Sequence, residues 1–567
     1  MQSGIQNRGR FSWLSRFSGA VRGGLLVNAG LLVCAVVLFA ASHPNPLFPK
    51  GVAAAGWVAY IPVFLLIRRC SLPASLFWGA VYGYVAYNLF GYWLAVFHPL
   101  AGIIVGTLEL FWFALLFFLL KLIGCLFRPL PRFACIPQTL LWVGFEYLRT
   151  LGFVGYPYGF IAYSQWQVIP LIQIAGLAGV WVVSAVVLFP QAVLGNALPV
   201  LSGNATAHRA RGGGLLAAAF ARKRFPKPLV PLIPYAVILA AALVYGFAAP
   251  HDFSAEPHTK VALIQHNTDP WKGGLAEYRE NFRVLARLSD EALRESPDID
   301  LVVWSETAFV PRIYWHQTYR DDPDSYALVK DLLDYLAAKP VPFLIGNDDA
   351  RRELTPSGRW ERVDYNAAVL FRGAEIVEQY RKLHLVPFTE YFPYEKQFPV
   401  IYQWLLAADT HFWKPGTEAT VFEISGGGRP VKFSTPICFE DSFADLSRAF
   451  VRNGADLIVN ISNDAWSGSL SAQYQHLSMA VFRTVENRRA MVRSTASGQT
   501  CVIMPDGAVL AESAPFAENY LTARAPRATG TTPYTALGDF FPVLCLAFAL
   551  GALAFVSVIR IKRGGRI

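Results

Sequence analysis

Charge is scarce in this sequence. Asp, Glu, Lys and Arg make up 16% of its 567 residues, where an ordinary soluble protein carries about a quarter. The missing charge is not missed evenly. Apolar residues, 54% of the whole, concentrate before Pro250 and again after Tyr534, and the stretch between has soluble composition. A uniformly soluble protein is therefore excluded, and a membrane part joined to a globular part is expected. Cysteine is sparse too. Cys34, Cys70, Cys125, Cys135, Cys438, Cys501 and Cys545 form no CxxC pair and no ligand-like spacing with histidine, which speaks against a disulfide framework and against a metal site. Five lie in or beside apolar runs, where a small thiol packs; only Cys438 and Cys501 fall in the globular part. That part lacks a basic stripe, so the net charge of +10 does not point to nucleic acid. Internal repeats are absent, and the glycines at 212–214 and 426–428 do not sit between strand and helix as a phosphate cradle would.

Runs of apolar residues long enough to cross a bilayer are predicted at roughly 24–41, 52–68, 73–97, 101–127, 133–150, 168–197, 229–248 and 536–559. Glu146 and Arg149 interrupt the fifth. The first is read as a span, not a signal peptide, because no small-residue cleavage site opens onto a soluble domain. Basic residues then set the orientation. Arg8, Arg10, Arg16 and Arg22; Arg68 and Arg69; Lys121, Arg128 and Arg132; Arg209, Arg211, Arg222, Lys223, Arg224 and Lys227; and Arg560, Lys562, Arg563 and Arg566 all fall on one face if the eight spans are real. That face is expected to be cytoplasmic, against an anionic leaflet. The predicted organisation is a membrane domain over 1–249 with about seven helices, an extracytoplasmic domain over 250–533, and a last span with a basic tail over 534–567. The small-xxx-small pair Gly79/Gly83 hints at close helix packing.

The globular part alternates strands and helices. Strands are predicted at 260–265, 300–304, 341–346, 366–371, 431–437, 456–461, 491–495 and 500–504, and helices at 276–295, 325–338, 443–453 and 471–489. Met504-Pro505-Asp506-Gly507 reads as a hairpin turn. Such alternation implies one α/β domain with a covered sheet.

Three residue types there carry chemistry. Cys438 ends a strand in STPICFED, beside Glu440 and Asp441 and after Pro436. A packing cysteine is the plain alternative; a nucleophile needs a base elsewhere in the chain. Glu306 ends a strand in LVVWSET, beside Trp304. It is either a loop cap or a general base. Lys382, in YRKLHLVPFTEYFPYE, is flanked by apolar residues; a lysine buried beside a carboxylate stays cationic and can hold an oxyanion.

These three residues occur in the order and spacing of the nitrilase superfamily, whose sites use a Glu-Lys-Cys set. The phrases KLHLVPFTEYFP, ICFE, NISNDAWSG and QHLSMAVFRTVENRR resemble its apolipoprotein N-acyltransferase branch, over nearly the whole chain. The resemblance implies an α-helical membrane bundle of about eight spans plus an α/β nitrilase-like α-β-β-α sandwich domain. It implies Glu306 as general base, Lys382 as oxyanion holder and Cys438 as nucleophile, with Glu390, Glu440, Trp271 and Trp466 as supporting or substrate-binding positions. Phe439 departs from the tyrosine usual there, and GFVGYPYG at 152–159 matches the usual GFPW only loosely. The implied reaction is ping-pong acyl transfer from a phospholipid to a diacylglyceryl apolipoprotein, in the bacterial inner membrane with the catalytic domain periplasmic. No cofactor and no metal are required, and a monomer is expected. A membrane-tethered amidase with water as second nucleophile, or a non-enzymatic lipoprotein-binding scaffold, are the competing readings. Residues 391–406 are aromatic and apolar; we expect them to form either a core helix or a lid at the membrane interface with Trp404.

Overall fold

The computed structural model describes residues 9–97, 100–128, 130–198, 229–354, 358–407, 410–425 and 429–562. Arg8, the basic residues between 209 and 227, Arg563, Arg566 and the glycines at 212–214 and 426–428 lie outside them. The chain divides into two compact units. One comprises Met1–Phe145, Ser184–Ala241 and Pro542–Ile567, the other Glu146–Val183 and Ala242–Phe541.

Four helices among the described residues are long and apolar enough to cross a membrane: Gly24–Ser42, Ala101–Leu126, Val180–Ala197 and Phe540–Ile559. Other expected spans are shorter or broken, for local reasons. The run at 52–68 becomes Ala53–Gly56 and Ile61–Arg69, the second opening with Pro62 in its first turn, where a residue without an N–H starts a helix at no cost. The run at 168–197 becomes Ile169–Ile172, Ala175–Ala178 and Val180–Ala197, with Gly179 at φ 75° breaking the last two apart. Cys135–Leu148 has 14 residues and Leu232–Ala248 has 17. Within the first unit, helix Leu72–Phe90 lies against helix Ala101–Leu126 through Gly79 and Gly83. A methyl group on either would fall 2.3 Å from the Phe113 carbonyl oxygen and 2.2 Å from that of Glu109, so only glycine permits this approach. Leu25, Leu26 and Val37 on one long helix, and Leu544, Phe548 and Phe555 on another, are exposed. Such apolar faces are stable against lipid, and the chain is a membrane protein.

The second unit holds two six-stranded sheets. The first contains β1 (His258–Gln265), β2 (Leu301–Trp304), β3 (Phe343–Leu354), β4 (Trp360–Arg372), β5 (Glu375–Arg381) and β12 (Asn519–Pro526), in the order β12-β1-β2-β3-β4-β5. The other contains β6 (Val421–Ile424), β7 (Val431–Ser434), β8 (Leu457–Ser462), β9 (Met491–Thr495), β10 (Cys501–Ile503) and β11 (Val509–Glu512), in the order β11-β10-β9-β8-β7-β6. Each has three parallel strands at its middle, β1-β2-β3 and β7-β8-β9, with antiparallel strands outside. The sheets face one another: the Ser494 hydroxyl of β9 lies 3.2 and 3.0 Å from the carbonyl oxygens of Ile264 and Val303. Parallel neighbours need helical crossovers, here Gly274–Glu295 and Pro323–Ala337 on the first sheet, Ala444–Arg452 and Leu470–Asn487 on the second. The layers thus follow α-β-β-α order. Leu285, Leu288, Leu328, Leu332 and Leu336 pack on Ile264, Val302 and Trp304 to form the core of the first half, and Trp304 donates its indole N–H to Ser289 at 2.9 Å.

The expected strands and helices are present with shifted ends. β5, β6, β11 and β12 were not anticipated; β11 alternates half-buried and exposed positions, and β5 is exposed or half-buried except at Tyr380, with glutamates among the exposed positions of both, which dilutes an apolar signal. β4 likewise begins at Trp360, well before its buried half at 365–371. Residues 146–183, placed by hydropathy in the membrane domain, belong to the globular unit. Val180 N–H donates to Glu486 at 2.8 Å, Gln173 to the Asp506 carbonyl at 2.8 Å, and Trp181 to Asp539 at 2.9 Å.

Candidate functional site

Each chemically active side chain follows the C-terminal end of a strand. Glu306 lies two residues past β2, Lys382 one past β5, and Cys438 four past β7. Gly346 on β3 lets the turn after β2 close in. A methyl group there would meet the Ser305 carbonyl at 2.3 Å and the Thr307 nitrogen at 2.5 Å.

Glu306 is buried and fully engaged. One oxygen accepts from Asn366 at 2.8 Å and from the Lys382 ammonium at 3.3 Å, the other from the Asn463 backbone N–H at 2.9 Å. Lys382 is fully buried and also donates to Glu390 at 2.9 Å; the second Glu390 oxygen accepts from Val386 N–H at 2.8 Å. Burial alone would discharge the lysine, but Glu306 and Glu390 hold its pKa well above the ordinary value. Burial raises the Glu390 pKa, and Lys382 pulls it back.

Cys438 opens a short 3-10 turn, Cys438–Ser442, at φ 53°. A left-handed backbone at a non-glycine residue is strained, and here it falls on the candidate nucleophile. Burial and the Glu306 charge push the thiol well above the usual thiol range, while Lys382 draws it down. The resting state is therefore a neutral thiol facing a carboxylate and an ammonium, an arrangement suited to proton removal as an electrophile arrives.

Glu440 is a clamp. One oxygen accepts from the backbone N–H groups of Leu383 (2.7 Å) and His384 (2.9 Å), the other from that of Ile437 (2.8 Å), and the Tyr380 hydroxyl lies 2.8 and 3.0 Å from the two. One buried carboxylate thereby ties the chain after Lys382 to the chain before Cys438. Phe439 packs edge-on against Phe443 and lies parallel to Tyr158, ring centres 6.5 Å apart. Tyr158 is within electrostatic reach of Cys438, and Phe153 meets Phe388, Tyr391 and Tyr394. The 152–159 loop is thus built into the site's rim despite its loose match in sequence.

The structure brings Glu306, Lys382, Cys438, Glu390 and Glu440 together. Trp271 is 40% exposed and lies against His411 and Trp413; the Trp413 backbone N–H donates to the Glu390 carbonyl at 2.9 Å. Trp466 is half-buried in the turn Ala465–Ser467, just past Asn463. Trp404 lies on helix Pro399–Ala407, where only Leu405 is buried. Sequence reasoning missed Asn366, Tyr380, Asn463 and the buried group Asp441, Asp464, His476 and Arg493. Asn366 and Tyr380 lie within strands among other polar residues, with no local signal that sets them apart. Asp441 and Asp464 were within reach, as buried acids in the ICFED and NDAW phrases.

Residues 260–532 match the carbon-nitrogen hydrolase family, and residues 34–193 match the apolipoprotein N-acyltransferase N-terminal domain. Apolipoprotein N-acyltransferase 1 of Treponema pallidum is 49% identical over 94% of this chain and 97% of its own length. Apolipoprotein N-acyltransferase 1 of Treponema denticola is 41% identical over 94% and 96%, and the apolipoprotein N-acyltransferase of Geobacter metallireducens 32% identical over 93% and 95%.

Proposed function

Because the chain belongs to the apolipoprotein N-acyltransferase family, we propose that it moves an acyl chain from a membrane phospholipid to the α-amine of the diacylglyceryl-cysteine that begins an apolipoprotein. The observation that carries this reading is the meeting of a buried carboxylate (Glu306), a buried ammonium (Lys382) and a half-buried thiol (Cys438). Glu306 takes the thiol proton, and the sulfur attacks the carbonyl carbon of a phospholipid ester. Lys382 uses two N–H bonds on Glu306 and Glu390; its third is free to meet the oxyanion. Collapse expels the lysophospholipid alkoxide, which receives the proton from Glu306, and leaves a thioester. The lipoprotein amine then attacks that thioester, Glu306 accepts the amine proton, and the sulfur leaves as thiolate to be reprotonated. Glu390 fixes the lysine, and Glu440 fixes the spacing between lysine and thiol.

Both substrates sit in a bilayer, which accounts for an α/β domain on a membrane anchor. The apolar helices cross the inner membrane, with Val180–Ala197 alone serving for the 168–197 run, and the globular unit faces the periplasm, as the one-sided basic residues favour. Helix Pro399–Ala407 is a lid that rests in the interface: Val400 is 81% exposed, Trp404 51%, and such a surface suits lipid better than water. One chain supplies every group, and it acts as a monomer.

Mass spectrometry of the purified protein with phospholipid alone tests the reaction. An acyl adduct on Cys438 with release of lysophospholipid, both lost in Cys438→Ala, is expected; ammonia released from simple amides without an acyl adduct would overturn the reading in favour of an amidase. Because burial and the Glu306 charge raise the pKa of the thiol, iodoacetamide at neutral pH should label Cys438 more slowly than it labels free cysteine.

A further inference from the structure

Behind the nucleophile lies a buried ionic group that the acyl-transfer steps above do not use. His476, on helix Leu470–Asn487, has a carboxylate at each ring nitrogen. Nε2 is 2.6 Å from Asp441 of the nucleophile turn, and Nδ1 is 3.3 Å from Asp464 after β8. Arg493 of β9 contacts Asp441 at 3.1 Å and Asp464 at 4.0 Å. All four side chains are buried. A neutral imidazole has one lone-pair nitrogen, which would face a carboxylate lone pair on either side; only the imidazolium suits both. The group then holds two anions and two cations and is neutral overall. Burial would lower the His476 pKa and Arg493 opposes its charge, but Asp441 and Asp464 lift it to about 9.

Ser462 connects this group to the reacting sulfur. At the end of β8 its hydroxyl donates to Asp464 Oδ1 at 3.1 Å, and its side chain lies near enough to the Cys438 thiol to lower the thiol's pKa. We propose that His476 is a positioning residue: as an imidazolium it satisfies Asp464, so that the Ser462 hydroxyl can turn from Asp464 to the Cys438 thiolate, and it offsets carboxylate charge behind that thiolate. This rests on Cys438 being the nucleophile. The groups facing His476 are Asp441, Asp464 and Arg493. Those acting on Cys438 are Glu306, Lys382 and Asp464, with Arg493 and Tyr158 also within electrostatic reach. Asp464 disfavours the thiolate, and the imidazolium cancels much of that effect. Without it, one carboxylate charge in the interior goes unbalanced, and the thiolate forms less readily at every pH below the thiol's own pKa.

The test uses full-length protein and two variants, His476→Gln and Ser462→Ala. Alkylation of Cys438 by iodoacetamide is followed by mass spectrometry from pH 6 to 10, and phospholipid-dependent thioester formation is measured beside it. In His476→Gln the alkylation rate is expected to fall about tenfold at each pH, the equivalent of one pKa unit. Ser462→Ala should fall about threefold, the loss of a single donor. In both, the rate of thioester formation falls while the KM for phospholipid stays within twofold of the parent's. Rates in both variants that overlay the parent's, or a KM that changes with an unaltered maximal rate, would overturn the proposal. If His476→Gln fails to fold, Ser462→Ala, which removes one hydroxyl, decides alone. Alkylation needs no phospholipid, so the two readings fail separately: unchanged alkylation in the variants with a normal acyl adduct sinks only the role of His476, whereas slowed alkylation in the variants beside a parent that forms no adduct sinks only the acyl-transfer reaction.

Discussion

The two halves of the α/β unit share a strand pattern and differ in what lies outside them. On the first sheet, helix Gly274–Glu295 buries only Asn281, Leu285, Leu288, Ser289 and Ala292 and turns its charges to water. On the second, helix Leu470–Asn487 is buried from Ser471 to Asn487, with His476, Arg483 and Glu486 inside. The difference comes from residues 146–183 and 532–537, which cover that helix: Tyr163 meets Phe482 edge to face, Glu486 accepts the Val180 N–H, and Thr532 donates to the Glu486 carbonyl. A solvated layer tolerates charge changes, whereas a covered one must pair every charge it contains.

Lys382→Met, which leaves Glu306 and Glu390 unpaired and the oxyanion unsupported, should cut thioester formation by about a thousandfold or more, read as the rate of the acyl adduct. On the covered helix, Arg483 meets Glu486 at 2.8 Å and the Ser442 carbonyl at 2.7 Å, so Arg483→Met should cost about 3–5 kcal/mol in denaturant titration. Glu440→Gln keeps the shape but weakens the clamp between the lysine and cysteine segments. A loss of about 10- to 100-fold in adduct formation is expected, with little change in KM. Trp404→Asp should raise the KM for phospholipid in bilayers on the order of tenfold, with chemistry on bound substrate unaltered. The smallest effect belongs to the solvated helix. Arg287 pairs with Glu518 at 2.6 Å, both half exposed, and Arg287→Ala should cost about 0.5 kcal/mol or less. A large loss there, or a negligible one at Arg483, would break the contrast between the halves.

Much of the site was legible before folding. Cys438 and Glu306 each follow an apolar strand, and a strand's end is where a polar side chain can point into a cleft; Lys382 follows the largely polar β5 and stood out only by the apolar residues that flank it. Glu390 and Glu440 stood out only through their phrases; that Glu440 serves as a clamp is a matter of four donors arriving from three segments. Trp271 shows the limit from the other side: its phrase suggested the site, yet its ring lies tilted against those of Trp413 and His411. The first sheet's helix could be read from its one apolar face. The helix at 470–487 could be located but not understood, because its polar residues suggest solvent and are buried.

By itself the sequence determined where lipid-like and water-like stretches alternate, which segments become strands or helices, and which side chains are chemically able to react. Those are local matters, set by side-chain polarity and period along the chain. Tertiary structure alone decided that residues 146–183 join the globular unit, that Cys438 takes a left-handed backbone, and that His476 lies between two acids. Each depends on groups far apart in sequence meeting in a water-poor interior, where a charge is tolerated only beside its partner, and no stretch of chain carries that information alone.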